Sequence, residues 1–307
     1  MIEITTNSEI KQAIFEKKPI VALESTIISH GLPFPENYNT AIALEEEVRR
    51  QGSIPATIAI IAGKMKVGLE PEDLNILSDP KSLVEKVSRR DIPSVLQTRG
   101  NGATTVAATM IIAAKANIPI FATGGIGGVH KGAETSFDIS ADLQELAKTN
   151  ICVVCAGPKA ILDLNLTMEY LETHGVPVIG YKTHELPAFW SRNSGIFGLK
   201  SYQTASEIAE FLSFKWKFPL SGGVLVTNPV PSSNEIPEKQ VREWIIEALE
   251  EIKLQKIIGK EITPFVLDYI RIASDGKSVG SNISLVKNNA KLASQIAIEL
   301  NKRIKVA

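Results

Sequence analysis

The sequence is short of several things, and each shortage removes a class of function. Cysteine occurs twice in 307 residues, at Cys152 and Cys155, too few for a disulfide scaffold. Their C-x-x-C spacing is that of a redox pair, yet Ile151-Cys152-Val153-Val154-Cys155-Ala156 reads as a buried strand. Residues three apart on a strand point to opposite faces, so both sulfurs are expected to be ordinary core groups. Charge of one sign is not in excess, since 33 Lys+Arg stand against 34 Asp+Glu for a net charge of −1. No cationic excess exists to neutralise a phosphate backbone, which argues against a nucleic-acid partner. No apolar run reaches the roughly 20 residues of a membrane span, and the start, Met1-Ile2-Glu3-Ile4-Thr5-Thr6, lacks the basic and apolar regions of a secretory signal. A soluble protein of the cytoplasm, without a membrane partner, is expected.

Nucleotide and zinc signatures are missing too. No complete Walker loop, G-x-x-x-x-G-K-S/T, occurs. A G-x-G-x-x-G template started at Gly125 would need glycine where His130 stands. A P-loop kinase and a dehydrogenase are thereby disfavoured, and no Cys/His cluster speaks for zinc. Internal repeats and low-complexity tracts are absent as well.

What is present is a globular composition, 44% hydrophobic and 22% charged, with length for one large or two ordinary domains. Short apolar runs alternate with helical patterns, the signature of a layered α/β fold. Strands are predicted at Ile20–Leu23, Ala56–Ala62, Ile120–Ala122, Ile151–Ala156, Pro177–Gly180 and Gly223–Val226. Helices are predicted at Asn39–Gln51, Thr104–Asn117, Asp142–Lys148, Ile161–Thr173, Ala205–Phe214, Pro237–Gln255 and Asn282–Lys302. The first helix sets Ala41, Leu44 and Val48 on one face and the pairs Glu45–Arg49 and Glu46–Arg50 on the other. Ala62-Gly63-Lys64-Met65 predicts a tight reversal, hence a mixed and largely parallel sheet. Residues 229–237 read as a loop.

Chemistry gathers where strands end. Glu24 follows the first predicted strand, and α/β sheets bind ligands beyond the carboxyl ends of their strands; it is either an acid–base group or a loop carboxylate capping backbone. His30, in the same loop, carries less by itself. Asn101-Gly102-Ala103-Thr104-Thr105 opens an apolar helix with two hydroxyls and N-terminal donors, which suits a phosphate monoester or a plain cap. Lys86 and Arg89-Arg90 supply cations upstream, or form a solvated basic run. Thr123-Gly124-Gly125-Ile126-Gly127-Gly128-Val129-His130 lets a ligand approach the backbone closely, or serves packing alone. Asp138 and Asp142 flank Ser140; converging with waters they would suit Mg²⁺ or Mn²⁺, and otherwise they are turn and cap residues. Lys159 follows the Ile151–Ala156 strand, so its amine emerges at the same sheet edge, where such a lysine can attack a carbonyl to form a Schiff base. It is otherwise a solvent-exposed strand-end lysine.

Taken together, ALESTIISHG at 22–31, VSRRD at 87–91, NGATTVA at 101–107, FATGGIGGVHKGAE at 121–134 and FDISADL at 137–143 resemble the pseudouridine-5'-phosphate glycosidase family, the indigoidine synthase A-like proteins. CAGPKAILD at 155–163, EYLETHGVPVIGY at 169–181 and SNISLVKNNAKLAS at 281–294 extend the resemblance, which runs from about Lys17 to Lys302. It implies one domain over 1–307 with a three-layer α/β/α fold, a homotrimer, and reversible cleavage of pseudouridine 5'-phosphate to uracil and ribose 5-phosphate. It also implies one divalent cation per subunit, usually Mn²⁺.

By motif, the resemblance makes Glu24 the proton donor and Lys159 the covalent nucleophile. It places Lys86, Val106, Ser140, Ala141 and Asp142 at the substrate, Asp138 at the metal with Asp142 joining through water, and His130 and Asn282 in the pocket. Thr104 and Thr105 complete the expected phosphate grip. Pro158, where relatives often carry Ala or Val, is a small departure that stiffens the loop before the lysine. Two other classes share parts of this pattern. A Schiff-base aldolase would use Lys159 and the phosphate grip without Glu24 at a ring oxygen, and a non-catalytic sugar-phosphate sensor would bind without turnover.

Overall fold

The computed structural model describes residues 4–218, 220–257 and 262–306, the side chains at 304–306 aside. Its strands are β1 (Ile4–Thr6), β2 (Ile20–Leu23), β3 (Ile54–Ile61), β4 (Lys64–Val67), β5 (Val84–Val87), β6 (Asn101–Thr104), β7 (Ile120–Ala122), β8 (Cys152–Cys155), β9 (Val178–Tyr181), β10 (Lys200–Tyr202) and β11 (Val224–Thr227). They form one sheet in the order β1-β4-β3-β2-β7-β8-β11-β9-β10, with β6 also on β3 and β5 on β6. Every pairing is parallel except β3 with β4 and β3 with β6. The reversal at Ala62–Met65 therefore makes the β3–β4 hairpin, and the mixed, largely parallel sheet is as the sequence predicts. β3 runs for eight residues because it pairs with β2 over its first half and with β4 and β6 over its second.

The strands alternate, as period-two patterning requires. Val21, Leu23, Cys152, Val154, Val224 and Val226 face one core, while Ala22, Phe121, Val153, Cys155 and Leu225 face the other. The first core is covered by α2 (Glu36–Arg50), α9 (Ala205–Lys217), α10 (Glu238–Gln255), α11 (Ile262–Ala273) and α12 (Lys277–Val306). The second is covered chiefly by α1 (Ser8–Phe15), α4 (Ile92–Thr98), α5 (Val106–Lys115), α7 (Ala141–Leu146) and α8 (Leu164–Thr173). α3 (Pro71–Ser78) packs a smaller cluster with α2, and α6 (Ala133–Ser136) is a single turn. The result is the three-layer α/β/α arrangement. Cys152 and Cys155 lie in opposite cores and are free. Burial pushes both thiols up, Cys155 to about 12, so neither is a thiolate at neutral pH and the redox spacing carries no chemistry.

Several boundaries differ from the sequence reading for local reasons. Thr104 ends a strand, and the helix starts only at Val106 because Thr105 is its N-cap. Asp163 caps α8 by accepting from Leu166 N–H at 2.9 Å, which delays that helix from Ile161 to Leu164. α7 begins at Ala141, one residue earlier than expected, since Ser140 caps it by accepting from Asp142 N–H. On α2, Arg49 reaches Glu45 as expected, whereas Arg50 takes Glu47 and not Glu46.

Candidate active site

The parallel neighbours β2, β7, β8 and β11 all end at one edge of the sheet, and their following residues converge there. β2 delivers Glu24, after which Ser25 and Thr26 are tied to β6. Ser25 Oγ accepts from Thr104 N–H at 2.8 Å, and Thr26 Oγ1 donates to Thr104 O at 2.8 Å. The chain then makes one π-helical turn, Ile27–Gly31. Such turns recur at functional sites.

β7 and β8 continue beyond their ends as a second pairing of loops. Ile126 N–H donates to Gly157 O at 3.2 Å, and Lys159 N–H donates to Ile126 O at 3.0 Å. This fixes the base of the Lys159 side chain against the glycine-rich loop. Gly157 has φ +89°, and a Cβ there would stand 2.2 Å from Pro187 O, so only glycine permits the turn. Asn289 on α12 closes the arrangement from below. Its amide donates to Thr123 O at 2.8 Å and accepts from Asn228 Nδ2 at 3.1 Å, joining the ends of β7 and β11.

A cavity opens at this edge. Glu24, Lys86, Lys159 and Asn282, which the sequence places far apart, all line it. Glu24 accepts a short hydrogen bond from the Thr123 hydroxyl. Desolvation by burial raises its pKa, against the opposing pull of Lys159, of the Thr123 bond and of Lys86, and with a further push from Asp142. The carboxyl is thereby held in its protonated form to a higher pH, which is what a proton donor needs. Two lysines and one carboxyl line the cavity, and a lysine is a group that can grip a phosphate. The opposite wall is apolar: Ile27, Phe189, Pro264, Leu267 and Leu285. Asn282 stands beside that wall, and its Oδ1 accepts from Trp190 Nε1 at 2.8 Å.

His30 also lines the cavity, whereas the other expected residues lie around it and not in its lining. The Thr104 side chain is buried; its hydroxyl donates to Ile58 O at 2.7 Å and accepts from the Thr109 hydroxyl at 2.9 Å. This corrects its place in the phosphate grip, because the hydroxyl is spent inside the protein. Thr105 caps α5, and Val106 is buried at the start of that helix. Arg89 pairs with Glu145 and Arg90 with Asp91, so neither cation reaches the cavity.

The glycine-rich loop divides between its two readings. Gly124 and Gly125 line the cavity. Gly127 instead makes room for neighbours, since a Cβ there would stand 2.2 Å from Ser140 Oγ and 2.9 Å from Asp142 Oδ2. Asp142 neither caps α7 nor turns to Asp138. Its two oxygens accept from Ala107 N–H at 2.9 Å and Gly127 N–H at 2.8 Å, clamping α5 to the loop. Asp138 faces His130, with Oδ2 4.0 Å from Nδ1. Burial lowers the His130 pKa, Asp138 opposes this, and the fields of Lys159 and Lys86 add to the lowering.

Sequence reading alone missed Thr123 as the partner of Glu24, and missed Phe189, Leu267 and Leu285 as walls. Thr123 stood in a motif already singled out. The walls carried no signal, because an apolar residue lining a cavity looks like one lining a core.

Fold and site together define an α/β/α protein with a lysine–carboxyl cavity at the carboxyl edge of a largely parallel sheet. The family model described as indigoidine synthase A like protein matches residues 9–299, and the chain belongs to that family. Pseudouridine-5'-phosphate glycosidase of Geobacillus kaustophilus is 57% identical over 295 residues, covering 96% of this chain and 98% of that protein. The protein of the same name from Escherichia coli K12 is 57% identical over 291 residues, 95% of this chain and 93% of its own. Among solved structures, the prealnumycin C-glycosynthase AlnA in complex with ribulose 5-phosphate superposes with a TM-score of 0.91 at 36% identity, covering 99% of each chain. An indigoidine synthase A-like protein from Thermotoga maritima gives 0.89 at 34%, covering 98% and 97%.

Proposed function

We propose that this protein is a pseudouridine-5'-phosphate glycosidase, which reversibly cleaves the bond between C1' of the ribose and C5 of uracil to give uracil and ribose 5-phosphate. The observation that carries the reading is the meeting of Glu24, Lys86 and Lys159 in one cavity, the parts that a carbon–carbon glycoside requires. An ordinary glycosidase protonates a departing oxygen; here the departing atom is carbon and an electron sink is needed instead. Glu24 gives its proton to the ring oxygen as the C1'–O4' bond opens, and Lys159 Nζ bonds to C1'. Nζ then gives up a proton to the Glu24 carboxylate, its lone pair forms the imine as the C1'–C5 bond breaks, and that proton passes to C5 of uracil. Water hydrolyses the imine to ribose 5-phosphate and returns the lysine. A Schiff-base aldolase would use a proton donor at its carbinolamine and not at a ring oxygen, so retro-aldol products assayed against uracil release separate the two readings.

The phosphate is assigned to the cationic side of the cavity at Lys86, in the strand paired with β6, which leads into Val106; Ser140 and Ala141 follow from the family resemblance. Binding energy gained there is remote from the reacting bond and serves the transition state. Asp138 is the proposed metal ligand. Among the described residues no group of three or more His, Cys, Asp or Glu could hold a metal, but a half-exposed carboxylate with room for waters fits a hydrated Mn²⁺ or Mg²⁺. Such an ion would supply positive charge to the substrate oxygens. The protein is further read as a homotrimer, on the family resemblance, and as a protein of the cytoplasm, on the sequence reading above.

Incubation with pseudouridine 5'-phosphate and Mn²⁺ should release uracil and ribose 5-phosphate in equal amounts, with pseudouridine itself a very poor substrate. No uracil from the phosphorylated compound overturns the reading. Chelation, or Asp138→Ala, should remove most of the activity; a rate unchanged by exhaustive chelation contradicts the metal assignment.

A further inference from the structure

Trp190 lies outside the cavity, yet its one polar atom is aimed at a residue that lines it. The indole Nε1–H donates to Asn282 Oδ1 at 2.8 Å. An indole N–H can only donate, so the Asn282 amide must meet it with oxygen; turned the other way, two donors would face each other in the protein interior. One lone pair of Oδ1 is thereby committed to the indole, and the end of the amide that takes no part in this bond is the NH₂ group, with two donors.

Trp190 has no freedom to release this hold. It is 1% exposed and stands edge-to-face on Phe189, ring centroids 5.0 Å apart. Phe189 itself is at φ +62°, a conformation bulky residues rarely adopt and that surrounding structure must enforce. Here Phe189 N–H donates to Ala156 O at 3.0 Å, at the end of β8. The same backbone feature thus sets Phe189 in the cavity wall and Trp190 against Asn282.

We propose that Trp190 is a positioning residue that fixes Asn282 as a hydrogen-bond donor, so that the cavity selects a base carrying a carbonyl oxygen, and not an amino group, at the edge facing Asn282. The inference rests on the glycosidase reading and deepens it. The neighbourhood agrees with a flat heterocycle there, because Ile27, Phe189, Leu267 and Leu285 form the walls beside Asn282. Uracil presents carbonyl oxygens at C2 and C4, while isocytosine and cytosine each replace one of them with an amino group. A site built to hydrogen-bond one partner rejects the mismatched one strongly, since its buried polar group is left unpaired.

The test runs the reaction in the synthetic direction, with ribose 5-phosphate and uracil, cytosine or isocytosine, and reads kcat/KM for each base. Intrinsic differences in base reactivity cancel when a variant's preference is divided by that of the wild type. Trp190→Phe keeps an aromatic ring but removes the N–H, so the preference for uracil over at least one amino base should fall at least about tenfold. Asn282→Asp keeps the acceptor for Trp190 and replaces the donor by an acceptor, so the preference should move further, toward the amino base. Both preferences unchanged, in variants with wild-type circular dichroism, overturn the proposal while leaving the glycosidase reading in place. A wild-type enzyme that neither releases uracil nor adds it overturns the reading beneath both.

Discussion

The half of the cavity proposed to carry the chemistry, with Glu24, Lys86 and Lys159, comes from strands and the loops that leave them, whereas the facing half, with Leu267 and Leu285, comes from α11 and α12, late in the chain. The first half is held by hydrogen bonds to backbone: Lys159 N–H to Ile126 O, Thr104 N–H to Ser25 Oγ, and Ala107 and Gly127 N–H to the Asp142 carboxylate. The second is held by side-chain packing against the core. Groups that form and break bonds must stand within fractions of an ångström, which a strand end provides. Groups that only exclude water and grip a ligand tolerate looser support. Substitutions in the two halves should therefore differ in kind.

The largest effect is expected from Glu24→Gln, which keeps the shape and loses the proton: uracil release should fall by about 10² to 10⁴. It should also separate stability from activity. Because burial raises the Glu24 pKa above its unfolded value, the carboxyl's contribution to stability is present at low pH and is lost as pH rises through the folded pKa. Glutamine has no such loss, so Glu24→Gln should melt higher than wild type at pH 8 and not at pH 4. An equal difference at both pH values contradicts the raised pKa.

Next in size is Gly127→Ala, whose Cβ would meet Ser140 Oγ and Asp142 Oδ2. Overpacking of this kind costs about 1–3 kcal/mol and should lower the melting temperature by several degrees. Turnover should fall as well, since the clamp that sets the loop beside Lys159 is strained. A variant with wild-type melting and rate would show the loop to be free to move, and would erase the contrast with the helical half.

The smallest effect belongs to that half. Leu267→Ala should raise KM up to about tenfold with kcat nearly unchanged, because a wall grips substrate and transition state alike. A loss confined to kcat would place α11 in the chemistry.

The same contrast sets what could be read without a structure. Glu24, Lys159 and the glycine-rich loop were legible because a charged or glycine residue directly after an apolar strand is an anomaly, and anomalies at strand ends mark sites. The six strands read from sequence were the long or apolar ones; β1, β5 and β10 are short and polar enough to escape, and β6 was hidden by its continuation into α5. Lys86 was noticed as a cation, but its place in β5, beside β6, follows only from the antiparallel branch at β3. Thr104 misled because a hydroxyl before a helix looks the same whether it faces a ligand or, as here, the carbonyl of Ile58. Trp190 and Phe189 were invisible as site residues, since their roles depend on a left-handed backbone that no pattern announces.

The central claim is that Lys159 Nζ is the covalent nucleophile, and because the reaction is reversible the imine should form from the product alone. Incubating the protein with ribose 5-phosphate, reducing with borohydride and mapping the adduct by mass spectrometry tests this directly. The account predicts one reduced adduct, on the peptide carrying Lys159, absent from a folded Lys159→Ala variant that also releases no uracil. An adduct on another lysine, or a Lys159→Ala protein that still releases uracil at the wild-type rate, would contradict it.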